Sequence, residues 1–79
     1  MKAKILANDS DLIVMFRLGS IEGEMIENVD DAREKFISSI NDQNLAVLIL
    51  TKSIKSLIET EVNEHQQSEK TPLIVVIDG

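Results

Sequence analysis

The chain has 79 residues, 43% of them hydrophobic, a net charge of −6, no cysteine, one histidine, two Phe and no Trp or Tyr. That length makes one small domain, residues 1–79, with enough apolar content for a packed core, so a disordered chain is excluded. The absence of cysteine excludes disulfides and thiolate metal sites. The single histidine argues against a histidine metal centre, and an acidic chain with no basic block or stacking aromatics argues against nucleic-acid or anionic-membrane binding.

No apolar run is long enough to span a bilayer, and no signal-peptide pattern is visible. The expectation is a soluble, intracellular protein.

Ala3 to Ala7 forms a first strand by pattern. Asn8-Asp9-Ser10 is turn chemistry, and Asp9 or Ser10 can cap the following helix. That helix runs to Leu18 and ends at Gly19, which can take the left-handed cap. Its interior, Leu12 to Leu18, is apolar nearly all round. A helix covered on one side only should show a polar face, so this one is expected to meet something besides its own sheet.

Glu24-Met25-Ile26-Glu27 reads as a short second strand with the charged flanks of a sheet edge. Asn28 to Asp31 opens a second helix with acids in its first turn, where they suit the helix dipole. Its apolar stripe is Val29, Ala32, Phe36, Ile37 and Ile40. Asn41 to Asn44 is a polar connection. Leu45 to Leu50 is apolar at every position, the pattern of a strand buried on both faces of a parallel sheet. On that reading Val47 is fully inside, and an aspartate there prevents folding.

Thr51 caps a third helix with the stripe Ile54, Leu57, Ile58 and Val62, while Glu59, Glu61 and Glu64 stay in water. Gln66 to Thr71 is a polar loop punctuated by Pro72. Leu73 to Ile77 is a fourth strand, rich in β-branched residues.

The alternation of strand and helix predicts an α/β fold with a parallel sheet. Right-handed crossovers reduce the small solutions to strand order 2-1-3-4, a flavodoxin-like, receiver-like three-layer sandwich. The first helix then lies on one face and the later helices on the other. The first face is under-covered beside strands three and four. Either a missing C-terminal segment or a partner is expected to cover it.

Catalytic chemistry is hard to assemble. A phosphorelay receiver needs an aspartate at the end of the third strand, where this chain has Leu50-Thr51, and no receiver lysine is present on a later strand. Asp9 therefore reads as a helix cap. Gly19 to Gly23 follows a helix rather than a strand and lacks a phosphate-binding lysine, so it reads as cap plus turn. Asp30-Asp31 and the Glu59, Glu61, Glu64 set read as solvated faces. His65 suits a helix C-terminus. No nucleophile–base pair emerges. The expectation is no catalytic, cofactor-binding or metal-binding residue.

Phe16-Arg17-Leu18-Gly19, followed by Ile21-Glu22-Gly23 and an acidic second helix, resembles the F subunit of the V-type and A-type rotary ATPases. The similarity extends in order over essentially the whole chain, though the Phe-Arg-Leu segment is its distinctive part. Met15 stands where a small residue is usual, Gly19-Ser20 replaces a common Ala-Gly, Lys52 replaces an acid and Asp78 a proline. The resemblance implies a C-terminal helical segment beyond Gly79, so the expectation is a fragment or a short variant.

The resemblance implies a non-catalytic part of the central rotor shaft, in the cytoplasmic, soluble ATPase sector. It would bind the coiled-coil D subunit inside the catalytic hexamer, without membrane insertion or nucleic acid. It would help couple ATP hydrolysis or synthesis to proton or sodium transport. The other class is a receiver-like adaptor that binds proteins without accepting phosphate. The expected contact combines Leu12, Met15, Phe16, Arg17 and Leu18 of the first helix with Leu73, Val75 and Ile77 of the fourth strand. Arg17 either pairs with a partner acid or snorkels at the surface. Two competing readings bury the first helix wholly within the domain or place a second copy on the edge strand.

Overall fold

A computed structural model describes residues 2–79. The elements are β1 (Lys2–Ala7), α1 (Ser10–Leu18), β2 (Glu22–Met25), α2 (Val29–Ile40), β3 (Leu45–Thr51), α3 (Lys52–Leu57), α4 (Glu59–Ser68) and β4 (Leu73–Ile77). All strand pairs are parallel and the order is β2-β1-β3-β4, as the alternating pattern predicts. The topology is that of a flavodoxin-like sandwich.

The sheet separates two apolar clusters. Leu6, Leu48 and Leu50 point to one side, where Ala32 and Phe36 of α2, Ile54 of α3 and Val62 of α4 close over them. Ile5, Ala7 and Ile49 point to the other side, where only α1 supplies cover, through Ile13 with Leu12 and Phe16.

Capping chemistry sets the helix starts. Asp9 accepts from the Asp11 N–H at 2.9 Å, Asn28 from the Asp31 N–H at 2.8 Å, and Thr51 from the Ile54 N–H at 3.3 Å.

Several local expectations are corrected. β2 begins at Glu22 rather than Glu24, because its register is set by β1, with Lys4 opposite Glu22 and Ala7 opposite Met25. Ile26 lies just past it, yet its N–H still reaches the Ala7 carbonyl at 2.8 Å and its side chain is buried.

The expected third helix is two helices, broken at Ile58 (φ −136°, ψ 39°). The break lets α3 lie against β1, β3 and β4 while α4 reaches β4, with Ile58 itself fully buried at the joint. At the joint the Ile58 N–H donates to the Lys55 carbonyl at 3.1 Å and its carbonyl accepts from the Val62 N–H at 3.0 Å. The break also leaves Leu57, expected on the buried stripe, exposed.

Residues 66–68, expected in a loop, complete α4, which ends at Glu69 in the left-handed conformation. Val47 is half-buried, not fully inside, because no helix covers its end of that sheet face.

The turn after α1 holds a further correction. Gly19 has φ −92°, and Ser20 takes the left-handed position at φ 67°. A non-glycine residue there costs roughly 1–2 kcal/mol. A methyl at Gly19 would meet only the Phe16 carbonyl, at an ordinary 3.5 Å. The paired substitution Gly19→Ala/Ser20→Gly is therefore expected to stabilise the fold by about 1 kcal/mol, a Tm rise of about 4–8 °C, read by thermal circular dichroism. An unchanged or lower Tm would show that the turn is not strained. Gly23 is needed for close approach: a methyl there would come within 2.9 Å of Ile13 Cγ2 and 3.1 Å of Ile5 Cγ2.

Ion pairs tie neighbouring elements together. Arg33 Nε donates to Glu61 Oε2 at 2.7 Å, tying α2 to α4, and this bond holds the Glu61 carboxyl below its usual range. Asp31 is lowered chiefly by the Glu27 N–H, then by Lys35, against partial desolvation. Asp78 is lowered by its hydrogen bond from Lys52. A carboxylate whose pKa is lower in the folded state stabilises the fold above its unfolded pKa. That contribution disappears as pH falls through the folded value. The Tm is accordingly expected to fall below about pH 4 as these carboxylates protonate. Glu61→Gln is expected to flatten the fall in a pH series of thermal melts. An equally steep fall in that variant would remove Glu61 from the account.

Candidate functional site: an open apolar face

α1 presents Ile13 inward, and Leu12 and Phe16 pack half-buried on the same cluster. The rest of the helix has no cover: Val14, Met15 and Leu18 are exposed, Met15 by 65% and Leu18 by 84%. These apolar residues on the outer side explain why the helix lacks a polar face. Met15 and Phe16 line a shallow apolar recess of about 210 Å³ with Gly19 and Ile21.

β4 continues this face. In the parallel register Leu73 lies beside Val47, Val75 beside Ile49 and Ile77 beside Thr51. Paired residues share a face, so Leu73, Val75 and Ile77 stand on the α1 side. Ile77 packs on the α1 cluster. Leu73 is 64% exposed and Val75 is exposed as well.

The structure thus places Leu12, Phe16 and Ile77 around one cluster, with Met15 at its recess and Leu73 and Val75 farther along the open sheet. Arg17 stands apart. It lines a polar recess of about 510 Å³ with Lys4, Ser20, Glu22 and Glu24, on the β2 side. Leu18 is exposed beyond both recesses. Two residues of the face escaped the sequence reading. Val14 sits exposed on α1, and half-buried Val47 continues the β4 row onto β3. Its signal was parity: it shares a face with Ile49, not with Leu48.

The positions where a receiver would hold its chemistry do structural work. Thr51 is buried and caps α3, and its hydroxyl shares a hydrogen bond with Ser53 at 3.1 Å. Asp9 caps α1. Among the described residues, no three His, Asp or Glu side chains are grouped to hold a metal ion, and no helix is long and apolar enough to cross a membrane.

His65 was expected simply to suit a helix end. It is in the last turn of α4 but buried, with Nε2 2.8 Å from the Pro72 carbonyl and its ring edge-on to Phe36 at 6.2 Å. It joins α4 to the start of β4.

Fold and surface define a flavodoxin-like α/β domain with an open apolar face on α1 and β4. Comparison with known proteins gives the family. The ATP synthase (F/14-kDa) subunit family matches over residues 5–79. The F subunit of the A-type ATP synthase of Methanothermobacter thermautotrophicus is 30% identical over 73 residues, spanning 91% of this chain and 68% of that protein. The chain belongs to the ATP synthase (F/14-kDa) subunit family, the F-subunit family of V/A-type ATPases, and hence to the components of a rotary ATPase complex.

Proposed function

We propose that the chain is a non-catalytic central-stalk subunit that binds the coiled-coil D subunit of the shaft within the catalytic hexamer. It turns with that shaft and helps couple ATP hydrolysis or synthesis to proton or sodium transport. It acts as one α/β domain in the cytoplasmic, membrane-peripheral sector. The observation that carries this reading is the open apolar face: Leu12, Met15, Phe16 and Leu18 on α1, and Leu73, Val75 and Ile77 on β4. A coiled coil offers a long rod whose outer surface can accept such a face. Exposed apolar area of this kind marks protein interaction sites. Arg17, beside Lys4, Glu22 and Glu24, stands at the rim of the contact.

The test is binding of the isolated chain to the coiled-coil subunit by calorimetry. Phe16 and Ile77 are half-buried, so Phe16→Ala and Ile77→Lys also load the fold. Met15→Glu and Leu18→Glu avoid this, since both side chains are mostly in water. Each is expected to weaken binding at least about thirtyfold, the scale of an interface hot spot, with an unchanged Tm. Glu59→Ala, at the start of α4 on the opposite face, is expected to bind like wild type. Wild-type binding by folded Met15 and Leu18 variants would move the contact to α2, α3 or α4.

A further inference from the structure

Glycine and serine stand in an unexpected order after α1. Ser20 holds the left-handed position at φ 67°. The turn closes on it, with the Ser20 N–H donating to the Arg17 carbonyl at 2.9 Å and the Ile21 N–H to the Phe16 carbonyl at 3.0 Å. That is the position where a glycine would relieve strain. The glycine is instead one residue earlier, at φ −92° and ψ 15°, a conformation that ordinary residues occupy in turns. Packing inside the domain does not require it either, since an added Cβ would meet only the Phe16 carbonyl oxygen, at 3.5 Å. An alanine there would restrict the unfolded chain and stabilise the fold. No backbone or packing demand among the described residues accounts for the missing side chain. What it leaves is space on the outside.

That space is the shallow recess lined by Met15, Phe16, Gly19 and Ile21, four residues without a charge. Met15 and Phe16 lie four and three positions before Gly19, so they are its neighbours on the helix surface. At about 210 Å³ the recess is smaller than the roughly 300 Å³ at which small-molecule pockets begin. It is a hole for one side chain. Where helices pack in coiled coils, a side chain of one helix enters a hole formed by four residues of the other.

We infer that this recess receives one bulky apolar side chain, of the leucine or phenylalanine class, from a helix of the coiled-coil subunit, and that Gly19 keeps it open. The inference rests on the assignment of the α1 face to that subunit, and it names the chemistry the partner brings there. A charged occupant would find no counter-charge among the four lining residues.

The experiment fills the recess in steps and reads calorimetric binding to the coiled-coil subunit beside thermal melts. Gly19→Ala/Ser20→Gly is expected to bind about fivefold more weakly than wild type although its fold is more stable. Gly19→Leu is expected to bind at least about thirtyfold more weakly while keeping a cooperative melt. Ser20→Gly leaves the recess open and is expected to bind like wild type. A face that only presents apolar area predicts the reverse for Gly19→Leu, because the added side chain enlarges that area.

Met15→Glu separates the two assignments. Wild-type or tighter binding by folded Gly19→Leu, with Met15→Glu still weak, would overturn the recess and leave the α1 contact standing. Weakened binding by Ser20→Gly equal to that of the paired variant would trace the effect to the turn and overturn the recess as well. Wild-type binding by folded Met15→Glu, or no binding by the wild-type chain, would overturn both.

Discussion

Replacing Leu50 with aspartate is expected to leave a chain with no cooperative unfolding transition. Leu50 is wholly inaccessible, on the central strand β3, between its neighbours Leu6 on β1 and Val76 on β4. Above it lies the cluster closed by α2, α3 and α4. No lysine or arginine is buried among the described residues, so a carboxylate there is either ionised and unpaired or protonated and poorly hydrogen-bonded. The first case costs several kcal/mol. The whole domain has only about 5–15 kcal/mol to lose, and a chain this short sits toward the low end. Val47→Asp, on the same strand but facing the other side of the sheet, is expected to be milder. Its side chain is half-buried on the open face, where water can reach a carboxylate. Thermal circular dichroism of both variants checks this. A native-like melt for Leu50→Asp would mean that β3 is not the centre of the core. Equal loss from both would mean that the α1 side is as closed as the other.

That contrast marks where sequence reasoning succeeds and where it stops. The unbroken run Leu45 to Leu50 announces a central strand, and its alternation with helical stripes leads to the order β2-β1-β3-β4. Hydrophobic runs and turn chemistry are local signals, and they recover what is locally determined. The edges of elements follow from pairing and packing, which are not local. Glu22 enters β2 because it lies opposite Lys4 on β1, not because the Glu-Gly-Glu-Met pattern resembles a strand. Ile58 breaks the third helix without a glycine or proline to mark it, because its burial requires a change of direction there. His65 looks polar in the sequence, yet the Pro72 carbonyl and the Phe36 ring give it a satisfied buried place.

The candidate face was legible for a related reason. An apolar α1 has no polar side to turn to water, and an apolar β4 has no charge to guard it. The phase of α1 relative to the sheet was not legible. That phase sends Arg17 to the polar recess beside Lys4 and Glu24, and Met15 to the apolar one beside Ile21.

The second large effect belongs to Phe36. Its ring is fully buried where α2 meets β3, α3 and α4, and the His65 imidazole stands edge-on against it at 6.2 Å and 89°. Phe36→Ala removes the largest fully buried side chain of the domain. Cavities left by such truncations cost about 3–5 kcal/mol. The edge-on aromatic contact adds about 0.5–1.5 kcal/mol when both rings are present. Loss of the ring also frees one side of His65, whose bond to Pro72 holds α4 to the start of β4. The variant is therefore expected to lose most of its stability and to loosen β4 before the rest of the sheet. Urea unfolding gives the first quantity, and amide exchange at Ile74 and Val76 relative to Ile5 and Leu6 gives the second. Ile37→Ala, next along α2 but exposed, is the control, with an expected cost under about 1 kcal/mol. A Phe36→Ala cost no larger than that control would place the core's centre elsewhere. Uniform exchange across all four strands would show that His65 does not couple α4 to β4.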